Sequence, residues 1–250
     1  MIKVAVLGAS GTMGRILIET IEATEDFAYV AGVPSDPDMP GGFAELMAID
    51  VPCDVLVDFS HHSLLESLLD FGLSRSLPLV IATTGYSEEQ EQLILEASRY
   101  IPIFRAKNFS LGVNLLVKLV QEAQHLLKDF DIEIIEKHHN KKLDAPSGTA
   151  FLLADSLNGN QDHPYRHGRF GKSAKRETGE IGIHSVRGGT IVGEHSVIFA
   201  GVDEILELKH AAHSKKVFAE GALKAAGFLV QKSPGLYTMN DLIEGGSPVE

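Results

Sequence analysis

Short apolar runs alternate with amphipathic stretches over roughly the first 110 residues of the chain. An apolar run bounded by turn residues indicates a buried strand, and such runs lie at 2–7, 27–33, 54–59, 77–83 and 101–106. Helical spacing of apolar residues predicts helices at 15–23, 63–72 and 87–99. Ser60 and Ser87 are predicted N-caps, and Ser87 with Gln90 has the spacing of a capping box. This alternation is typical of a doubly wound α/β fold, a parallel sheet covered by helices on both faces.

The pattern changes in the second half of the chain. The periodicity predicts a helix at about 111–128, a strand at 131–137 and a helix at about 147–157. A long loop at 158–179 carries the basic residues Arg166, Arg169, Lys172, Lys175 and Arg176. Strands within 180–211, a helix at about 215–230 and a C-terminal tail follow. We therefore predict an α+β domain at 110–214, inserted into a first domain made of 1–109 and completed by 215–250.

The turn after the first strand is rich in glycine. Gly8, Gly11 and Gly14 have the spacing G-x-x-G-x-x-G, and a helix follows them. Such a turn brings backbone N–H groups and a helix N-terminus onto a pyrophosphate, with no Cβ in the way. The position at the first strand–helix junction predicts a Rossmann-like dinucleotide site. A plain strand–helix turn is the alternative interpretation.

Two further turns follow apolar strands, "ATTG" at 82–85 and "AKNFS" at 106–110. Ligands of doubly wound sheets bind beyond the carboxyl ends of the strands, so both turns are candidate cofactor contacts, although each could be an ordinary loop. The second strand lacks the usual ribose-binding acid at its end. Pro34 stands at that position, and Asp36 comes two residues later.

Composition and charge narrow the classes of protein. The 250 residues carry a formal net charge of -12, which argues against a general nucleic-acid binder. Cys53 is the only cysteine, so no disulfide can form within the chain, and core packing is its expected role. No apolar run is long enough for a membrane span, and the N-terminus does not resemble a secretory signal. These features predict a cytoplasmic protein that binds neither nucleic acid nor membrane.

Positive and protonatable groups are concentrated in "EKHHNKKLDAPSGTA" at 136–150. His138 and Lys142 are four residues apart, and both would face one pocket if the chain turns between them. Crowded cations lower one another's pKa values, which favours proton donation near neutral pH. Ser147-Gly148-Thr149 would begin a helix, where free N–H groups favour a carboxylate. A pair of proton donors beside an anion site suits a small acidic substrate; a solvated charged loop with a capped helix is the alternative.

Other histidines of the chain are predicted to have structural roles. His138 and His139 point to opposite sides of an extended segment, and no metal-binding spacing occurs, so we expect no metal site. Arg187 could pair with a carboxylate and His195 could be catalytic. Both could equally be strand-edge residues or support a subunit interface, and for His195 a structural role is favoured. His61 and His62 are expected at a solvated helix start.

The chain resembles the 4-hydroxy-tetrahydrodipicolinate reductase family, also called dihydrodipicolinate reductase. "EKHHNKKLDAPSGTA" is similar to the family signature E-x-H-H-x-x-K-x-D-A-P-S-G-T. The stretches "GASGTMG", "DFS", "ATTG", "NFSLGVN" and "SVRGGTIVGEH" match in the same order. The resemblance covers nearly the whole chain.

The resemblance implies reduction of 4-hydroxy-tetrahydrodipicolinate to tetrahydrodipicolinate by NADH or NADPH, with loss of water, in lysine and diaminopimelate biosynthesis. It implies that His138 is the acid/base group and Lys142 the second proton donor. It also implies dicarboxylate binding by His139, Ser147, Gly148 and Thr149. The implied cofactor-lining residues are Gly8, Ala9, Ser10, Gly11, Thr12, Met13, Ala82, Thr83, Thr84, Ala106, Lys107, Asn108 and Phe109. The second domain would bind the substrate and form a homotetramer through the strands at 180–210.

Two residues depart from the family pattern. The family often has Gly where this chain has Ala82, and Glu or Asp where it has Pro34. Residues 31–54 contain no Lys or Arg, which slightly favours NADH over NADPH, although Arg15 could reach a 2′-phosphate. Another nicotinamide enzyme, such as an aspartate or homoserine dehydrogenase, would share the glycine turn but not the His-His-x-x-Lys stretch. A non-catalytic dinucleotide sensor would not need Lys142.

Overall fold

The structure is a computed structural model of the chain, and it describes residues 1–33, 41–159 and 163–245. The described chain forms two compact units. The first contains residues 1–111 and the chain from Lys215 onward, and the second contains residues 112–214.

The described strands, in chain order, are β1 (Ile2–Leu7), β2 (Phe27–Val33), β3 (Val55–Asp58), β4 (Leu79–Ile81), β5 (Pro102–Arg105), β6 (Asp131–His138), β7 (Tyr165–His167), β8 (Ile181–Arg187), β9 (Gly193–Ala200), β10 (Ile205–Ala212) and β11 (Gly235–Tyr237). The described α-helices are α1 (Thr12–Glu22), α2 (Leu65–Arg75), α3 (Glu88–Ala97), α4 (Leu111–Leu126), α5 (Gly148–Asn158), α6 (Lys216–Leu229) and α7 (Met239–Glu244). Short 3₁₀ helices lie at Leu46–Ala48 and His62–Leu64.

The first unit is built on a six-stranded parallel sheet with the spatial order β11-β5-β4-β3-β1-β2. Its central strands are buried on both faces, which explains why they are continuous apolar runs in the sequence. Helices α1 and α6 pack in the core on one face, and α2 and α3 pack in the core on the other. The predicted doubly wound α/β fold is confirmed.

Local signals in the first unit have mixed outcomes. The capping box at the start of α3 is confirmed, because the Ser87 hydroxyl accepts from the Gln90 backbone and the Gln90 side chain accepts from the Ser87 backbone. The prediction of Ser60 as an N-cap is wrong, because His61 caps the 3₁₀ helix and the Ser60 hydroxyl donates to Asp58. The Ser60 hydroxyl could bind either the helix start or the buried carboxylate of Asp58, and it binds Asp58.

The C-terminal segment is more ordered than the sequence predicts. Instead of a tail without structure, it forms the edge strand β11 and the helix α7. Tyr237 is fully buried and meets Phe228 edge-on, with ring centroids 5.7 Å apart. A strand of three residues that begins with glycine is too short for its periodicity to show.

The second unit contains a mixed five-stranded sheet with the order β10-β9-β6-β8-β7. Strand β6 lies at its centre, antiparallel to β9 and parallel to β8. Side chains from α4 and α5 form a core with one face of this sheet. The alternating burial along β6 turns Ile132, Ile134, Glu136 and His138 toward the buried side.

The predicted loop at 158–179 contains the short strand β7, and its residues 160–162 lie outside the described part of the chain. Arg169 and Arg176 both pair with Glu133 of β6 and with the buried Glu180. Two of the basic residues of this loop are therefore ion-paired against the sheet.

Candidate active site

The second unit places the end of β6 beside the start of α5. His138, the last residue of β6, is mostly buried, and its Nδ1 atom lies 2.6 Å from Oε2 of Glu136. Glu136 is fully buried. Because the side chains are two apart on one strand, they share a face of the sheet, and this spacing alone explains their contact.

The environment of His138 sets its protonation. Burial lowers the pKa of His138, the carboxylate of Glu136 raises it, and the charges of Lys142 and Arg187 lower it again. The net pKa lies below the ordinary value, so the imidazolium gives up its proton more readily. The predicted crowding of His138 by positive charge is therefore present.

Arg187, at the end of β8, neutralises Glu136. Its Nη1 and Nη2 atoms each lie 2.7 Å from one oxygen of that carboxylate, and Nη2 also donates to the backbone carbonyl of Asp144 at 2.7 Å. Burial alone raises the pKa of Glu136, but the hydrogen bonds from Arg187 and His138 outweigh burial and lower it to about 2. Of the roles considered for Arg187, pairing with a carboxylate is therefore the one that the structure shows.

The predicted helix start at Ser147 is also confirmed. The Ser147 hydroxyl accepts from the backbone N–H of Ala150 at 3.2 Å, and its backbone N–H donates to Oε1 of Glu136 at 3.2 Å. The hydroxyl also contacts Nε2 of His195 at 2.9 Å. Both polar groups of Ser147 are thus engaged inside the unit, while Gly148 is exposed at the first position of the helix.

His195 is a site neighbour that the sequence does not reveal. Its ring, 4% exposed on β9, meets the His138 ring edge-on with centroids 5.2 Å apart. Burial chiefly, with a smaller contribution from the nearby His138, lowers the pKa of His195 to about 4. Neutral His195 therefore forms one wall of the site, and the structural role predicted for it stays a prediction.

The loop between β6 and α5 carries the remaining predicted substrate residues. The Lys142 backbone N–H donates to the carbonyl of His139 at 3.2 Å, so the chain turns between His138 and Lys142, which is the condition for both to face one pocket. The Lys142 ammonium pairs with Asp144 at 2.8 Å. A Cβ at Gly148 would meet nothing within 4 Å, so the space in front of the helix is open. Thr149 follows in the first turn of α5.

The first unit places its candidate cofactor turns along one edge of the parallel sheet. Gly8 has φ +83, and a Cβ there would lie 2.5 Å from the carbonyl oxygen of Phe59. Gly14 lies in the first turn of α1, which begins at Thr12, earlier than predicted; a Cβ on Gly14 would overlap the backbone of Gly8 and Ala9. These two glycines allow the turn to pack tightly against its own helix.

Gly11 has a different role. It is the exposed N-cap of α1, where it has no side chain to cover the helix N–H groups, and a Cβ there would meet only the Gly8 carbonyl at 3.2 Å. Ser10 and Thr12 lie on either side of it. The half-buried Met13 packs against the core and the Ala9 side chain is fully buried, so Ala9 can offer only backbone groups. This open helix N-terminus fits a pyrophosphate.

The side chain of Arg105 connects the turns after β4 and β5 through hydrogen bonds to their backbone carbonyls. Its Nη1 atom donates to the carbonyls of Ile81, Thr83 and Ala106, and its guanidinium pairs with Glu91 at 2.8 Å. The turn residues Ala82, Thr83 and Thr84 are thereby joined to Ala106. Lys107 is exposed, Asn108 accepts from the Ser110 backbone, and Phe109 is buried between Phe59 and Phe104.

The turn after β3 belongs to the same edge, but the predicted site does not include it. Asp58 is 1% exposed and accepts hydrogen bonds from the Ser60 backbone at 3.0 Å and the Tyr86 hydroxyl at 3.3 Å. The Ser60 backbone N–H also reaches the Thr83 hydroxyl at 2.9 Å. Burial raises the pKa of Asp58, and these hydrogen bonds oppose that rise. The stretch "DFS", which matches the family pattern, is the sequence signal that could have identified this turn.

Two further observations concern what the described residues do not form. Within 1–33, 41–159 and 163–245, no group of three or more His, Cys, Asp and Glu side chains is placed to hold a metal ion. None of the helices in those ranges has both the length and the apolar character of a membrane span. Pro34 and Asp36, on which the ribose argument depends, lie outside the described residues.

Comparison with known proteins gives a consistent assignment. Residues 2–109 match the family model "Dihydrodipicolinate reductase, N-terminus", and residues 112–243 match "Dihydrodipicolinate reductase, C-terminus". A 4-hydroxy-tetrahydrodipicolinate reductase of Caldanaerobacter subterraneus subsp. tengcongensis is 48% identical, over 98% of this chain and 100% of its own length. One from Clostridium tetani is 48% identical over 97% of each.

A solved structure agrees with the relatives. The dipicolinate-bound dihydrodipicolinate reductase from Paenisporosarcina sp. TG-14 superposes with a TM-score of 0.80 at 26% identity, covering 96% of this chain and 99% of that one. Both halves of this chain match the same family, and its N-terminal domain implies a nicotinamide cofactor. The chain therefore belongs to the dihydrodipicolinate reductase family.

Proposed function

We propose that His138 and Lys142 are the proton donors with which this member of the family reduces 4-hydroxy-tetrahydrodipicolinate to tetrahydrodipicolinate. The observation that carries this proposal is the contact of 2.6 Å between His138 Nδ1 and buried Glu136. Because Nδ1 is engaged inside the unit, Nε2 is the atom left to exchange a proton with a substrate. The reaction belongs to lysine and diaminopimelate biosynthesis.

The reaction consumes one proton and releases one water. The reduced nicotinamide supplies the hydride when it is bound. His138, with its lowered pKa, delivers a proton as negative charge develops on the substrate. Lys142 is the second donor: it protonates the hydroxyl that leaves as water, and because this loss of water also releases one proton from the neighbouring ring carbon, the two donations agree with a net consumption of one proton. Its ammonium also compensates the charge of a dianionic substrate. Asp144, which pairs with Lys142, holds that ammonium near the site until substrate replaces it.

The dicarboxylate is proposed to bind at the N-terminus of α5. Gly148 and Thr149 begin that helix, where N–H groups favour an anion, and the open space at Gly148 admits a carboxylate. His139 lies next to the proton donor and contributes from the loop. Ser147 remains a predicted substrate contact, although its hydroxyl and N–H already bind His195 and Glu136, so we assign it chiefly to holding the helix start.

The nicotinamide cofactor is proposed to lie along the edge of the parallel sheet that carries the turns after β1, β4 and β5. Gly8–Met13 would bind the pyrophosphate, while Ala82–Thr84 and Ala106–Phe109 would line the nicotinamide half. Ala9 and Phe109 would contribute backbone groups, because their side chains are buried. NADH is proposed to serve at least as well as NADPH, because residues 31–54 carry acidic side chains and no basic ones.

The two units are proposed to have different roles, one in binding the cofactor and the other in binding the substrate and forming the oligomer. Residues 1–109 with 215–250 form the dinucleotide-binding domain, and residues 110–214 form the substrate and oligomerisation domain. The face of the second sheet opposite α4 and α5 exposes Val186 and Ile205, the latter by 71%. A homotetramer formed through the strands at 180–210 would cover them, and sedimentation equilibrium measures this state. We place the enzyme in the cytoplasm, with no nucleic-acid or membrane partner.

A coupled assay tests the proposed function. The preceding synthase, pyruvate and aspartate semialdehyde generate the substrate, and the loss of NADH or NADPH absorbance reports turnover. We expect turnover by the wild type and a loss of ~100-fold or more in His138→Ala, the usual effect of removing an acid–base group. His125→Ala, an exposed histidine of α4, is the control. Wild-type turnover in His138→Ala contradicts the proposed role.

A further inference from the structure

The carboxylate of Glu136 is enclosed by hydrogen-bond donors. His138 Nδ1, both terminal nitrogens of Arg187 and the Ser147 backbone N–H reach it, at 2.6, 2.7, 2.7 and 3.2 Å. The Ser185 side chain also hydrogen-bonds to this carboxylate. A carboxylate has about four lone-pair positions, so these contacts fill them. Glu136 is also 0% exposed. It has no remaining capacity for a substrate and can influence a reaction only through its neighbours.

The charge of Glu136 fixes the proton of its neighbour. With a pKa of about 2, Glu136 is ionised at any pH at which the protein works, and an ionised carboxylate only accepts hydrogen bonds. His138 Nδ1 must therefore carry a hydrogen in both of its protonation states. The titrating atom is then Nε2, which lies near Gly193, where an added Cβ would sit 3.1 Å from it.

We propose that Glu136 is a positioning residue, which holds His138 with Nε2 as its proton-exchanging atom and joins that imidazole to the N-terminus of α5 through Ser147. The inference rests on the proposed role of His138 and adds a residue to that site. One carboxylate thus sets the direction of the proton donor and the place of the helix that is proposed to bind the substrate.

The electrostatic part of this role has a defined sign. The charged and titratable groups around His138 are Glu136 from β6, Arg187 from β8, His195 from β9 and Lys142 from the loop; His210 of β10 acts in turn on His195. Among the groups that act on His138, Glu136 raises its pKa, whereas Lys142 and Arg187 lower it. Loss of the carboxylate therefore lowers the pH at which His138 gives up its proton.

Glu136→Gln tests the inference. The amide keeps the shape of the side chain but not its charge. We expect kcat to fall by ~10-fold or more, because the donor is misdirected, and the alkaline limb of kcat to move down by about 1 pH unit, the usual effect of an adjacent opposite charge. NADH affinity, measured by fluorescence titration, stays at the wild-type value.

Glu133→Gln is the matched control. Glu133 lies three positions earlier on β6, faces the other side of the sheet, and is likewise bound by a histidine, with His184 Nε2 at 2.7 Å, and by Arg169 and Arg176. Its loss removes a comparable ion-paired carboxylate without touching His138. We expect the midpoint of the alkaline limb to stay where it is in the wild type.

Two measurements keep the inference testable if Glu136→Gln does not fold. Glu136→Asp keeps the charge and draws it back, so kcat falls while the midpoint of the alkaline limb moves by less than the shift of about 1 pH unit expected for complete loss of the charge. The ¹⁵N spectrum of the wild type, assigned with His138→Gln, shows the Nδ1–H tautomer at high pH. An Nε2–H tautomer, or a Glu136→Gln pH profile that superposes on the wild type, overturns the inference. Failure of the proposed function gives a different result from failure of this inference. If His138 is not the proton donor, His138→Ala retains the wild-type rate, whatever the Glu136 variants do.

Discussion

The guanidinium of Arg187 forms a two-pronged hydrogen bond with the carboxylate of Glu136, with both N–O distances at 2.7 Å. Arg187 and Glu136 are 51 residues apart in sequence and lie on neighbouring strands, β8 and β6. Because Glu136 is fully buried, its negative charge has no contact with solvent and depends on this partner.

Arg187→Ala should therefore destabilise the second unit. Removing one partner of a buried pair leaves an uncompensated charge, and we expect the free energy of unfolding to fall by about 3 kcal/mol. Urea unfolding followed by circular dichroism measures the difference. Lys137→Ala is the control, because the Lys137–Glu194 pair is partly exposed and should contribute less than ~1 kcal/mol. Equal losses in the two variants would contradict the importance of burial.

The buried His195 predicts a loss of stability in mild acid. Burial holds its pKa at about 4 in the folded chain, against 6.5 as the ordinary value. Below pH 6.5 the unfolded chain therefore binds a proton that the folded chain does not, and stability falls by up to ~1.4 kcal/mol per pH unit until about pH 4.

His195→Gln should remove this part of the acid sensitivity, because an amide does not titrate but can still contact the Ser147 hydroxyl. Urea unfolding at pH 7 and pH 5 measures the slope for each variant. His125→Gln, which changes an exposed histidine, should keep the wild-type slope. A wild-type slope in His195→Gln would assign the acid sensitivity to other groups.

Lys142→Ala should reduce kcat by ~100-fold or more, since a proton donor and a compensating charge are both lost. The dissociation constant for NADH should not change, because the proposed cofactor residues belong to the first unit. Lys141→Ala is the matched control, since Lys141 is an exposed lysine of the same loop. Near-normal turnover in Lys142→Ala would exclude the proposed role.

Gly148→Val should raise the KM for the substrate and leave NADH affinity unchanged. An added Cβ there would meet nothing within 4 Å, so the chain should fold normally while the side chain fills the space proposed for a carboxylate. The thermal unfolding midpoint, measured beside the kinetics, separates obstruction from instability. An unchanged KM would place the carboxylate elsewhere.

The comparison of NADH with NADPH tests the proposed cofactor preference. Arg15 is a basic candidate for the 2′-phosphate, and its Nε atom donates to the Ser10 carbonyl at 2.9 Å, beside the glycine turn. We expect kcat/KM for NADH to be at least as high as that for NADPH, and a preference for NADPH above ~10-fold, or about 1.4 kcal/mol, would contradict this. A larger preference that disappears in Arg15→Ala would show that Arg15 reaches the 2′-phosphate.

The sequence predicts those features whose signals are local. Apolar runs revealed five of the six strands of the parallel sheet, and Ser87 with Gln90 revealed the start of α3. The stretch that ends in Ser147-Gly148-Thr149 correctly indicated a helix start beside His138. In each case, the residues that determine the structure stand within a few positions of one another.

The local sequence pattern does not reveal contacts between residues that lie far apart in the chain. Nothing in the local pattern connects Glu136 with Arg187, or Asp58 with Tyr86 28 residues later, because strand order brings these side chains together. His195 joins Ser147 for the same reason, across 48 residues. The three residues of β11 carry too little periodicity to be identified before their partner strand is known.

The return of the chain to the first unit determines when that unit can be completed during synthesis. Helix α6 supplies Ala219, Ala222 and Leu229 to the core that contains Val4 and Leu17, and β11 pairs with β5. A ribosome that has just added Ser214 holds a nascent chain in which one face of the parallel sheet still lacks its covering helix α6. The second unit has all of its residues by then. The N-terminal half of the protein is thus the last part able to mature, and a premature stop after residue 214 would leave its apolar surface to chaperones and proteases.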